Sequence, residues 1–197
     1  MPTPPESFAE ALAPAAAART ARRVLIVGLA AAVVALSAQI VVPVPFSPVP
    51  MTLQPLAVIA IGALLGPAAG AAALVLYLLA GASGLPVFSA GRAGAAWLVG
   101  PTGGYLLAFP VAAAVVGALT RTPATADRVP VFRLVLALAA GMIVIHAGGV
   151  AHLALLGGDV STAFRLGFVP FVTGDLLKIG LAGAIVLLLG PALRSRL

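Results

Sequence analysis

Apolar residues in this chain fall in long, nearly unbroken runs, and the segments between them are rich in proline, glycine or arginine. Such runs suit helices that cross a bilayer, where every backbone N–H and C=O must be satisfied within the segment. The first, residues 24–42 (VLIVGLAAAVVALSAQIVV), follows Arg19, Arg22 and Arg23. As a helix it reaches about 28 Å, close to the thickness of the hydrocarbon core. It is too long, and the polar stretch before it too atypical, for a cleaved signal peptide. Residues 1–18 are Pro- and Ala-rich with a weak capping pair, Ser7 and Glu10, and are expected to be a mobile tail with room for a short surface helix.

Residues 43–52 (PVPFSPVPMT) hold four prolines and predict an extended connection. The apolar stretch 53–82 is broken by Gly66 and Pro67, so it reads either as one long tilted span or as two short ones hinged at LGPAAG. Arginine placement separates the two. With two spans the chain has six, at 24–42, 53–65, 68–82, 102–120, 131–156 and 170–190. Eight arginines (19, 22, 23, 121, 128, 133, 194 and 196) then share one side and only Arg92 and Arg165 lie on the other, whereas a single span splits them five and five. The excess of positive residues on the cytoplasmic side of membrane proteins favours six spans with both termini cytoplasmic. Spans two and three, with 13 and 15 residues, are short by about a turn and need protein neighbours or a thinned bilayer. The expected fold class is an all-α integral membrane protein: a six-helix transmembrane bundle over 24–190, flanked by cytoplasmic tails at 1–23 and 191–197. No internal repeat stands out.

Composition agrees and narrows the function. With 62% hydrophobic and 8% charged residues, the chain carries far more apolar surface than a soluble core of this size can bury. It has no cysteine, which excludes disulfides and thiolate metal sites. The net charge of +6 comes from arginines near the ends of spans, with no basic stripe interleaved with aromatics, so nucleic acid is not an expected partner. There is no HExxH, no Walker A motif and no credible Ser, His and Asp set. No enzymatic activity and no cofactor are expected, and any coupling to ATP must come from other chains.

One short stretch breaks the apolar pattern of the last span. In GDLLK, residues 174–178, Asp175 and Lys178 are three apart, hence on one helix face and close enough to pair. Leaving either alone in lipid would cost at least about 2.5 kcal/mol, so both should face the bundle interior or a wet cavity. They read either as an ion pair bracing helices or as a ligand site near the outer end of the span. His146 and His152 lie six apart, about 240° round a helix, and cannot chelate one metal; they read as helix-packing histidines. Residues 81–105 (GASGLPVFSAGRAGAAWLVGPTGGY) are Gly-rich but too apolar to float in water, and are expected to fold over the outer helix ends as a lid. Tyr105 and Trp97 suit ligand contact or interface anchoring, and Thr52, beside Gln54, suits ligand contact or helix capping. The small-residue pairs Ala31/Ala35 and Gly28/Ala32 in span one would let another helix approach.

PVPMTLQ, LGPAAGAAALVLYLLAGASGLPVF, GPTGGY and GDLLK occur here in one order and spacing, and together the chain resembles the BioY family, the biotin-specific substrate-binding (S) components of energy-coupling-factor (ECF) vitamin transporters. The resemblance runs from about residue 24 to 190. It implies a multi-pass protein of the bacterial plasma membrane, with an external biotin pocket closed by the loop between spans three and four. It also implies ligand contacts from Asp175 and Lys178: a carboxylate can accept ureido N–H groups, and an ammonium can donate to the ureido oxygen or the ligand carboxylate. The family has an Asn contact in the covering loop, but this chain contains no Asn; Arg92, Ser89 and Gln54 are the candidates to replace it. Phe88 and Trp97 would supply apolar walls. Ala31 and Ala35 match a surface that faces a transmembrane coupling protein, and two cytoplasmic ATPases would complete the transporter. The alternatives are an S component for another vitamin and a membrane subunit with a purely structural task.

Overall fold

The computed structural model describes residues 4–121 and 129–194. Arg128 and Arg196, which enter the charge count, and parts of both expected tails lie outside the described residues. The described residues are helical, apart from one small ribbon, the connections around it and a few tight turns. Helix α1 (Pro4–Ser37) starts well before the first apolar run, because the Ala-rich stretch expected as a tail has the highest helix propensity available. It also stops earlier than residue 42. Ser37 turns its hydroxyl back to Val34 O at 2.7 Å and Gln39 caps Ala35 O at 2.9 Å, after which the prolines of 43–50 prevent continuation.

The proline segment does not float. Val41–Val42 (β1) and Met51–Thr52 (β2) pair antiparallel across it, and Ser47 donates to Leu166 O at 2.8 Å. Helix α2 (Gln54–Ala82) takes Pro55 in its first turn, where the missing N–H is no loss. The two short helices expected at 53–65 and 68–82 form this one element, which turns at Gly66. That residue adopts φ 78 and ψ 177, a backbone conformation reserved for glycine. The turn also accommodates Pro67, which would break a regular helix.

The connection from α2 folds back on the bundle. Gly94 N–H bonds Gly81 O at 2.8 Å, and Phe88 and Arg92 pair through the bond from Phe88 N–H to Arg92 O at 2.9 Å. Phe88 is fully buried edge-on against Tyr77, with ring centroids 5.6 Å apart. Its ring fills the notch at Gly81, where any side chain would collide with it. Helices α3 (Gly103–Leu119) and α4 (Val131–Gly157) follow, then α5 (Val160–Gly167), a short helix the sequence reading did not anticipate. A tight turn at Val169–Phe171 leads into α6 (Val172–Arg194).

Helices α2, α3 and α4 form the centre of the bundle, with α1 packed on α2 and α6 on both α2 and α4. Among the described residues, four helical stretches are long and apolar enough to cross a bilayer: Ala17–Ser37, Gln54–Ala82, Val131–Gly157 and Val160–Ala192. Helix α3 is as apolar but shorter. Large side chains such as Leu29, Leu136, Ile143, Leu155 and Leu188 remain more than half exposed, as expected for surfaces whose solvent is hydrocarbon.

Candidate functional site

Asp175 sits in the first turn of α6 and Lys178 one turn further on. The ammonium donates to Asp175 Oδ1 at 2.9 Å, and both residues are only 5% exposed. Such burial is tolerable only because the charges are paired and hydrogen-bonded. A third group joins from another helix: His146 on α4, 7% exposed, places Nε2 2.5 Å from Asp175 Oδ2. The carboxylate is thus held at both oxygens, one from its own helix and one from across the bundle.

This trio lies in the wall of a cavity of about 450 Å³. The volume falls in the range of small-molecule sites, which pair apolar walls with a few placed polar groups. All nine ligand-site residues expected from the sequence line it: Thr52, Gln54, Phe88, Ser89, Arg92, Trp97, Tyr105, Asp175 and Lys178. They come from the ribbon, α2, the 83–102 connection, α3 and α6, so sequence-distant motifs converge on one space. Prolines 43, 48, 50, 55 and 101 and the side chains of Phe109, Ile145 and Phe171 add apolar surface.

The polar residues differ in how they are held. Gln54 is buried and donates to Tyr77 Oη at 2.6 Å, while Thr52 Oγ1 donates to Gln54 Oε1 at 3.1 Å and accepts from Gln54 N–H at 3.3 Å. Thr52 therefore serves the helix start and the cavity at once. Arg92 is exposed and stacks its guanidinium 4.4 Å from the Trp97 ring centroid; the described residues offer it no acidic partner. Tyr105 donates to Gly167 O at 2.6 Å, which ties α3 to the end of α5. Trp97 and Tyr105 are thus part of the cavity wall, although the bilayer interface was an equally good reading of them.

Two residues were missed, His146 in the cavity wall and Gln39 behind the turn that covers it. His146 read as a packing residue, yet its ring nitrogen meets Asp175. Its relative His152 binds Gly100 O at 3.1 Å, so the two histidines have separate tasks. Gln39 gave no sequence signal beyond its polarity in an apolar run. It donates to Phe88 O at 3.3 Å and accepts Gly91 N–H at 2.8 Å, fastening the 88–92 turn to the end of α1. Of the expected docking pair in α1, Ala31 is buried and Ala35 half-buried against the chain's own core. The other pair noted in that helix is more open, with Ala32 exposed and Gly28 half-buried.

A bundle of apolar helices enclosing a cavity with a buried ion pair in its wall defines the class, a membrane protein with an internal cavity. Residues 10–195 match the model of the BioY family, and the chain belongs to that family. It is 43% identical over 145 residues to a biotin transporter BioY from Thermotoga maritima, covering 73% of this chain and 82% of that one. To a probable biotin transporter BioY from Pyrococcus horikoshii it is 38% identical over 162 residues, 82% of this chain and 92% of the other. A crystal structure of the S-component for biotin from an ECF-type ABC transporter superposes with a TM-score of 0.75 at 25% identity, over 85% of this chain and 90% of that one.

Proposed function

We propose that this chain captures biotin in the cavity and carries it across the bacterial plasma membrane as the substrate-specific subunit of an ECF-type importer. The observation that carries the reading is the buried Asp175–Lys178 pair lining a cavity of about 450 Å³ in a member of the BioY family. A carboxylate beside an ammonium offers an acceptor next to a donor, the complement of a ureido N–H next to its C=O. Arg92 stands ready for the ligand's own carboxylate, since Lys178 is already neutralised. Nanomolar capture of a ligand with roughly sixteen non-hydrogen atoms needs about 0.75 kcal/mol per atom. That demands a dry pocket with charge-assisted bonds rather than an open groove.

In this reading the bundle crosses the membrane six times, with α1, the two halves of α2 either side of Gly66, α3, α4 and α6 as the crossings. Both termini are cytoplasmic, which keeps Arg19, Arg22, Arg23, Arg121 and Arg133 on one side. The segment 83–102, with Phe88 and Arg92 over the ligand, is the external lid. A transmembrane coupling protein and two cytoplasmic ATPases supply the energy. The coupling protein meets α1 at its small-residue face, which carries Ala31 and Ala35 together with Gly28 and Ala32.

The test is direct: biotin, and separately a panel of other vitamins, is titrated calorimetrically into the detergent-solubilised chain. Tight binding of biotin alone is expected. Tight binding of another vitamin without a response to biotin would reject the substrate.

A further inference from the structure

His146 lines the cavity, and the reading above gives it no task. Its ring is fixed on several sides. Phe168 meets it edge-on at 5.0 Å between centroids, Tyr105 edge-on at 6.0 Å and Phe171 at 6.0 Å. Tyr105 is itself locked by its bond to Gly167 O. Nε2 reaches Asp175 Oδ2 at 2.5 Å, whereas Nδ1 is buried with no hydrogen-bond partner. A neutral imidazole has one N–H and one bare nitrogen, and an ionised carboxylate only accepts. Burying an unpaired N–H costs more than burying an unpaired lone pair beside an apolar ring. The proton therefore belongs on Nε2, donated to Asp175.

Each carboxylate oxygen has roughly two acceptor sites. Lys178 occupies one on Oδ1 and His146 one on Oδ2, so both oxygens retain one and the plane of the group is set from two helices. A carboxylate pinned at one oxygen alone could swing about its last side-chain bond; pinned at both, it presents its remaining acceptor sites in one fixed orientation. We infer that His146, donating from Nε2–H, is a positioning residue for biotin that acts through Asp175. The role rests on biotin being the ligand of this cavity.

Calorimetric titration of biotin into the wild-type chain, His146→Gln and His146→Phe tests it. Glutamine can place its amide nitrogen where Nε2 stands, and its affinity should stay within about fivefold of wild type. Phenylalanine fills the same space without a donor, and affinity should fall by about 10- to 100-fold. Should the Phe variant not fold, as judged by its ligand-free melting transition, His146→Asn replaces it. Its shorter amide falls short of Oδ2 and should show the same loss. In parallel, nitrogen-15 NMR of the histidine-labelled, ligand-free wild type should show Nε2 protonated and Nδ1 bare. A protonated Nδ1, wild-type affinity in the donor-free variant, or equal weakening by Gln and the donor-free variant would overturn the inference. Failure of the wild type to bind biotin would instead refute the substrate, and the NMR result would still stand on its own.

Discussion

Gln54 donates from Nε2 to the phenol oxygen of Tyr77 across 2.6 Å, and by doing so joins the two halves of a helix that turns between them at Gly66. Both side chains are almost completely buried, 4% and 1% exposed. Removing one partner strands the other, which is dearer than the bond itself. Gln54→Leu should therefore destabilise the protein by about 1–3 kcal/mol, and Gln54→Leu combined with Tyr77→Phe by less than the single change. Thermal unfolding of the solubilised variants measures both; a double variant worse than Gln54→Leu would deny the pairing its role.

Gly66 isolates a backbone effect. A Cβ at this position would meet nothing within 4 Å, yet φ 78 with ψ 177 lies where only glycine is comfortable. Gly66→Ala should cost about 1–3 kcal/mol from strain alone. Gly28→Ala is the control: it too has open space, but sits in the regular helix α1, where alanine should stabilise by about 0.5–1 kcal/mol. Equal melting temperatures for the two variants would contradict the turn at Gly66.

Gln39 holds the turn that covers Phe88. Ala90 within this turn adopts φ 57, a conformation that alanine resists and that its surroundings must enforce. With Gln39→Ala, the bonds to Phe88 O and Gly91 N–H are lost. Amide exchange at Gly91 should quicken, and biotin should dissociate about two- to tenfold faster. Unchanged exchange there would mean that the turn is fixed by Phe88 packing alone.

How much of this could be read from the sequence follows from the range of each interaction. The apolar runs were legible because the bilayer imposes them locally, and the Asp175–Lys178 pairing followed from a spacing of three on one helix; helix ends were not, since α1 runs from Pro4 to Ser37 rather than over 24–42. The arginine pattern pointed to a break at Gly66 and Pro67, and the chain turns there at a φ of 78 that suits glycine. His146 was opaque: its partner lies 29 residues away, and only the packing of α4 on α6 brings them together. Helix α5 was invisible among loop residues, although Asp159 before Ser161 and Thr162 is a capping pattern.

Asp159 supplies a pH dependence that can be signed. Its carboxylate accepts Thr162 N–H at 2.8 Å and Ser161 N–H at 3.1 Å. Hydrogen bonds from the Thr162 side chain and backbone, then from Ser161, hold its pKa below the ordinary 3.8. Because the folded value is depressed, the cap's contribution is fully present above the unfolded pKa and is lost as pH falls through the folded one. Protection of the α5 amides should hold steady above pH ~5 and decline below pH ~4. In Asp159→Asn, which caps without titrating, that decline should disappear; a decline of the same size in Asn would assign it to another group.

Whether Asp175 and Lys178 grip a ligand or only brace helices is decided by biotin affinity in the wild type, Asp175→Asn and Lys178→Met. Biotin at 100 times its dissociation constant should stabilise the wild type by about 2.7 kcal/mol. Each variant, confirmed folded without ligand, should bind biotin about 30- to 1,000-fold more weakly, as expected when a buried hydrogen-bonded charge pair loses one member. Wild-type affinity in both folded variants would contradict the account and leave the pair a structural brace.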